Sequence, residues 1–294
     1  MTSESKEDER KKRSLWIQRH IQRYKAKLGF FLGAALITTV CYIPPDYTNV
    51  SCDDPSIRRP YYSDTVSVPV LLSVGLFGPF IMMIIFEWAF PPEVKDQDYS
   101  FRRGLHRSWS YVGDLFVGGL LMFFFNDLAK IATSEPRPSF WSLCVPNITE
   151  EQCQQPYVRI SWKDCTNPLN LPQRKLVDAM KSFPSGHASV SVYSAVFVIV
   201  YIQQRFSVRN NYRYLASILQ LMWALWAFIC CQSRIWDNKH HWWDVLAGAL
   251  LGACGSYVTL NYFSNWFNRE LPEKAIMSSH EESKDEARLH QHEF

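Results

Sequence analysis

The chain has 294 residues, 47% of them hydrophobic and 15% aromatic, and a formal net charge of +3. So small a basic excess, with no stripe of basic and aromatic residues, excludes nucleic acid as a partner. The mean hydropathy is slightly negative, but polar tails and one long polar loop dilute several dense apolar runs.

Residues 1–27 are a charged, basic tail in which LWIQRHIQRY has some helical periodicity. The tail lacks the apolar stretch and small-residue cleavage site of a signal peptide. Six apolar runs follow. The first spans about Leu28 to Ile43 and stops at Pro44-Pro45, and the second spans about Val66 to Phe90 and stops at Pro91-Pro92. The third, about Tyr111 to Leu128, holds Asp114, Asn126 and Asp127. The fourth runs from near His187 to near Ile202, the fifth from about Leu215 to Cys231 and the sixth from about Val245 to Phe263. Each approaches the roughly 20 residues that cross about 30 Å of hydrocarbon. A soluble fold would have too little polar surface to carry all six. The expected fold is therefore all-α, a polytopic integral membrane protein with six transmembrane helices. Residues 28–265 form its membrane domain and residues 266–294 a polar tail. His290 and His292 in that tail read as part of a disordered segment rather than a metal site.

Charge sets the orientation. The basic tail places the N-terminus in the cytoplasm. Lys95, Arg102, Arg103 and Arg107 follow the second run, and Arg205, Arg209 and Arg213 follow the fourth. Alternation puts both groups on the same cytoplasmic side, and both termini with them. The opposite connections contain Cys52, Cys144, Cys153 and Cys165 and two glycosylation sequons, at Asn49 and Asn147. Four cysteines on an oxidising face allow two disulfides in three pairings. Cys41, Cys230, Cys231 and Cys254 lie in apolar runs and read as packing residues.

Three polar groups interrupt the apolar pattern on the external side. KIATSEPRP places Lys130 and Arg137 just after the third run. KSFPSGH places Ser185, Gly186 and His187 at the entrance to the fourth, where a helix start offers free N–H groups to a phosphate oxygen. SRIWDNKHHWWD, between the fifth and sixth runs, carries Arg234, Lys239, His240, His241 and Asp244. Asp244 follows His240 by four residues, so a helix there would put both on one face. No carboxylate cluster with metal-ligand character accompanies them. Cations, a helix start, two histidines and an orienting carboxylate together describe metal-independent phosphoryl transfer through a covalent intermediate.

The spacing is specific. Lys130 with six residues before Arg137-Pro138, then Pro184-Ser185-Gly186-His187, then Ser233-Arg234, five residues, His240, three residues and Asp244, resembles in order the three signatures of the type-2 phosphatidate phosphatase superfamily. The layout of runs and loops is similar to the animal lipid phosphate phosphatases. The resemblance covers about residues 28–265. It implies that His240 is the nucleophile, that Asp244 orients it, and that His187 is the general acid and base. It also implies that Lys130, Arg137, Ser185, Gly186 and Arg234 bind the phosphate, with no metal and no cofactor. His241 reads as a neighbour, and Asp237 and Lys239 as loop residues. Trp242 and Trp243 read as interfacial anchors. The implied substrates are lipid phosphate monoesters such as phosphatidate, lysophosphatidate, sphingosine 1-phosphate and ceramide 1-phosphate. The partners are that substrate and membrane lipids, and homo-oligomerisation is left open. The expected location is the plasma membrane, with the site extracellular or lumenal. Alternative readings are a transferase or phosphatase that acts on another phosphorylated substrate with the same site, or a receptor- or transporter-like membrane protein.

Overall fold

A computed structural model describes residues 32, 50–89, 101–155, 158–168, 170–206 and 212–263. Five helices are long and apolar enough to cross a membrane: α1 (Val68–Ala89), α2 (Phe101–Thr133), α6 (Gly186–Phe206), α7 (Arg213–Trp236) and α8 (Trp242–Val258), which continues as a π turn to Phe263. In α2 the apolar window is Tyr111–Thr133. The expected run from Leu28 to Ile43, both tails and Asn49 lie outside the described residues.

Two helices exceed their apolar runs by the most. α2 starts at Phe101, inside the connection expected before Tyr111, and ends at Thr133. Nothing between these residues breaks a helix, so the polar flanks continue it. α7 passes Cys231 and ends at Trp236, which puts Ser233 and Arg234 in its last turn. It stops where Asn238 takes a left-handed conformation, φ 52°, which asparagine tolerates after a helix C-terminus.

Of these five helices α6 is the most enclosed, and it packs mainly on α8 and α7. Tyr193 and Phe197 of α6 join Leu115 and Met122 of α2 and Met83 of α1 in the membrane core. Exposed Ile81 and Ile85 on α1, Ile218, Leu221 and Phe228 on α7, and Leu250 on α8 form the apolar outside that a bilayer would cover. At one end of the bundle, buried Glu87 of α1 meets Arg205 Nε at 3.4 Å and accepts from Tyr201 Oη at 3.2 Å. A charge at that depth requires such partners.

The opposite end has a small cap. Short helices α3 (Phe140–Cys144), α4 (Glu150–Cys153) and α5 (Gln173–Asp178) lie between α2 and α6. β1 (Val50–Ser51) pairs antiparallel with β2 (Arg159–Ile160), a small addition to the all-α expectation. Of the three possible pairings, the structure has Cys52–Cys153 and Cys144–Cys165. Both disulfides lie in a second core with Ile57, Phe140, Ile160 and Met180. Arg58 stacks on Trp141, 4.2 Å from its ring centroid, and pairs with Glu150 at 3.1 Å. The segment before α1 is thereby joined to the α2–α6 connection as one unit.

Candidate active site

The C-terminal ends of α2 and α7 and the N-terminal ends of α6 and α8 meet beneath this cap. Each contributes part of one expected signature. Two glycines on α8 allow the close approach. A Cβ on Gly248 would strike the Ser185 carbonyl, and one on Gly252 the Ser189 carbonyl. With neither side chain present, α8 lies against the first turns of α6, and Ser185 N–H donates to the Asp244 carbonyl at 2.9 Å.

α6 begins at Gly186, as the PSGH pattern indicates, with His187 in its first turn. Ser185 Oγ and His187 Nε2 are buried without a hydrogen-bond partner among the described residues. Asn126 of α2, also buried, accepts from Ser189 Oγ at 2.9 Å, while its Nδ2 has no described partner. These groups supply polar atoms where the backbone N–H groups of α6 also emerge.

The stretch from Ser233 to Asp244 is not the single helical face that the spacing of His240 and Asp244 suggested. His240 lies in the turn between α7 and α8, His241 caps α8, and Asp244 is the third residue of α8. The carboxylate reaches back from the first turn. Its Oδ2 accepts His241 N–H at 2.8 Å and lies 3.3 Å from His241 Nδ1 and 3.7 Å from His240 Nδ1. Ser182 Oγ donates to the same oxygen at 2.5 Å. Asp244 Oδ1 has no described partner. Burial lowers the pKa of His240 from 6.5 to about 3; Asp244 opposes that shift, and Arg137 and Lys130 add to it. The imidazole is therefore neutral at physiological pH.

Lys130 sits in the last turn of α2 rather than beyond the span, and its Nζ donates to the Lys181 carbonyl at 3.0 Å. Arg137 pairs with Asp178 at 2.9 Å and also donates to the Asp178 carbonyl at 3.0 Å. Arg137 Nη1 also lies 3.5 Å from the Lys239 carbonyl next to His240, and Ser185 N–H meets the Asp244 carbonyl, so the three signatures converge on one region.

Among the described residues Arg234 is the best-enclosed cation, 1% exposed. Its Nε donates to Ser233 Oγ, Nη1 to Asp64 at 2.8 Å, and Nη2 to the Val66 carbonyl at 2.9 Å and to Asp237 at 3.1 Å. One of its five N–H groups has no partner among the described residues. Asp237 also accepts from Thr65 N–H and Thr65 Oγ1, at 2.8 and 2.7 Å. Asn238 donates to the Pro60 carbonyl, and Lys239 lies 3.6 Å from the Tyr61 ring centroid. Residues 60–66 thus form a strap fastened by residues 234–239. Asp237 and Lys239, expected as plain loop residues, are two of its fasteners.

Sequence reasoning also missed Glu135 and Ser182. Glu135 accepts from Trp243 Nε1 at 2.7 Å and lies 3.5 Å from His241 Nδ1. Its carboxyl titrates above the usual carboxylate range because burial disfavours its charge, against the pull of Trp243. Ligand atoms of Glu135, His241 and Asp244 lie within 4.8 Å of one another. This grouping is absent from the sequence pattern, because Glu135 is more than a hundred residues from the other two. Ser182 was visible only as a neighbour of the PSGH turn.

Residues 109–268 match the model of the PAP2 superfamily. This chain belongs to the PAP2 superfamily. Bovine (Bos taurus) phospholipid phosphatase 2 is 31% identical over 76% of this chain and 75% of its own length. Human (Homo sapiens) phospholipid phosphatase 2 is 29% identical over 79% of each chain. A Drosophila melanogaster relative, 28% identical over 74% of this chain, is matched over 62% of its own length. No solved structure matches the chain significantly. The matched PAP2 region takes in all three expected signatures, from Lys130 to Asp244.

Proposed function

We propose that this PAP2-superfamily phosphatase hydrolyses lipid phosphate monoesters through a phosphohistidine on His240. The substrate class is phosphatidate, lysophosphatidate, sphingosine 1-phosphate and ceramide 1-phosphate. The observation that carries the reading is a buried imidazole, His240, at one end of five apolar helices, with Lys130 and Arg137 near enough to act on its charge. A lipid there keeps its chains in the bilayer while its phosphate reaches the cations.

His240 Nε2 attacks phosphorus in line, and the bond from phosphorus to the lipid oxygen breaks. The leaving alkoxide takes a proton from His187. Water, deprotonated by His187, then attacks the phosphohistidine and releases phosphate. Lys130, Arg137 and Arg234 offset charge on the equatorial oxygens, and Ser185 and Gly186 donate hydrogen bonds to them. The relatives named phospholipid phosphatase support the substrate class.

In this reading six spans place both termini in the cytoplasm and the site on the extracellular or lumenal face of the plasma membrane. The two disulfides support an oxidising face. Asn147 is exposed on that cap, as glycan attachment requires. A size shift on glycosidase treatment of intact cells, lost in Asn147→Gln, tests the orientation.

The decisive experiment measures phosphate release from phosphatidate by purified protein in mixed micelles with EDTA. The wild type is active and His240→Ala is not. Activity that survives in a folded His240→Ala protein refutes the nucleophile, and activity abolished by EDTA refutes metal independence.

A further inference from the structure

His240 and Asp244 face each other at ion-pair distance, not in a close hydrogen bond. The 3.7 Å from Nδ1 to Oδ2 exceeds the reach of an N–H···O bond. Asp244 Oδ2 is instead taken up by its own helix start, through His241 N–H. Ser182 stands between the two, fully buried. Its Oγ is 2.5 Å from Asp244 Oδ2 and 3.3 Å from His240 Nδ1.

A serine hydroxyl has one proton. A 2.5 Å separation is that of a hydroxyl donating to an ionised carboxylate, and this contact takes the proton. Toward the imidazole, Ser182 Oγ can then only accept. Nδ1 must carry the His240 hydrogen, which leaves the lone pair on Nε2.

Ser182 is held rigidly for this task. Its N–H donates to the Glu135 carbonyl at 2.8 Å. The Lys181 carbonyl just before it accepts from Lys130 Nζ at 3.0 Å. Both anchors come from the end of α2 and the residues that follow it. The first signature thereby fixes the residue that connects the second signature to the third.

We propose that Ser182 is a positioning residue whose hydroxyl relays between His240 Nδ1–H and the Asp244 carboxylate, fixing the tautomer that presents Nε2 to phosphorus. As Nε2 bonds to phosphorus the ring becomes an imidazolium. Its Nδ1–H stays bonded to Ser182, and the Asp244 charge acts on it through the polarised hydroxyl. No proton need leave during attack. The inference rests on His240 as the nucleophile.

The test combines kinetics with nitrogen NMR of the full chain labelled with 15N-histidine, the His240 signals being assigned by their loss in His240→Ala. The wild type should show the Nδ1–H tautomer at His240. Ser182→Ala should lower kcat roughly 10- to 100-fold, by analogy with the loss of hydrogen-bond partners that orient metal-ligating imidazoles, leave KM unchanged and give a mixed tautomer. A wild-type Nε2–H tautomer overturns the relay. So does a Ser182→Ala protein with unchanged kcat and tautomer. If that variant does not fold, the wild-type spectrum alone decides between the two tautomers. An active His240→Ala protein would instead refute the nucleophile, whereas an inactive His240→Ala beside a fully active Ser182→Ala refutes only the relay.

Discussion

Arg234 Nη1 lies 2.8 Å from Asp64 Oδ1, an ion pair between residues 170 positions apart. The arginine is buried and the aspartate partly exposed. An anion that is to reach this guanidinium meets a carboxylate already seated there.

Asp64→Asn should therefore tighten substrate binding. It removes a negative charge that competes with phosphate and keeps a side chain able to pack beside Thr65. The expected outcome is a KM lowered about tenfold, the lower end of the roughly 1.5–3 kcal/mol that a hydrogen bond to a charged group contributes. Arg234→Lys should act in the opposite direction, because an ammonium cannot reproduce the fork that holds Asp64, Val66 and Asp237 together. Initial rates over a range of micellar surface concentrations measure both.

The two disulfides should differ in consequence. Cys52–Cys153 joins the segment leading to the strap onto the α2–α6 connection, across 101 positions. Cys144–Cys165 closes 21 positions inside the cap. Replacing Cys52 and Cys153 by serine should loosen the strap and lower kcat/KM. Replacing Cys144 and Cys165 should chiefly lower the thermal midpoint of the cap. Peptide mapping without reductant should find these two pairings and neither alternative.

Much of the bundle was legible because apolar length is a direct signal in a membrane protein. Val66 to Phe90 and His187 to Ile202 fall on α1 and α6 with small shifts at their ends. The shifts themselves have a cause. Hydropathy marks where lipid is, whereas a helix ends where its backbone finds a stop. α7 therefore carries polar Ser233 and Arg234 in its last turn and ends only at Asp237-Asn238. Lys130, Arg137, His187, His240 and Asp244 were legible as a constellation of types at fixed spacings. Asp64, Glu135 and Ser182 were not. Each acts on a residue from a distant segment, as in the pairing of Asp64 with Arg234, and a single serine or carboxylate in a polar loop carries no periodic signal.

Close helix contact should matter as much as the polar groups. Gly248→Ala would drive a methyl into the Ser185 carbonyl and to 3.2 Å from Ala188 Cβ. Overpacking of this kind costs about 1–3 kcal/mol. It would also stretch the bond from Ser185 N–H to the Asp244 carbonyl, so activity should fall together with the thermal midpoint. Gly113→Ala is the control. No described residue lies within 4 Å of its added Cβ, and alanine favours helix, so its midpoint should hold or rise. Thermal unfolding in detergent, with phosphate release on the same samples, separates the two.

Acid should destabilise the fold through His240. Its pKa is about 3 in the folded chain against an ordinary 6.5, so between those values the unfolded state binds the extra proton. Stability therefore rises with pH across that window. As pH falls from about 6.5 toward 3, the contribution of the neutral buried imidazole is progressively lost. Above 6.5 it is fully present and independent of pH. His240→Asn removes this titration, so its thermal midpoint should fall less steeply than that of the wild type between pH 6.5 and 4. Tryptophan-fluorescence melts of both proteins at matched detergent and salt measure the difference, and parallel curves would show that His240 is not held neutral by burial.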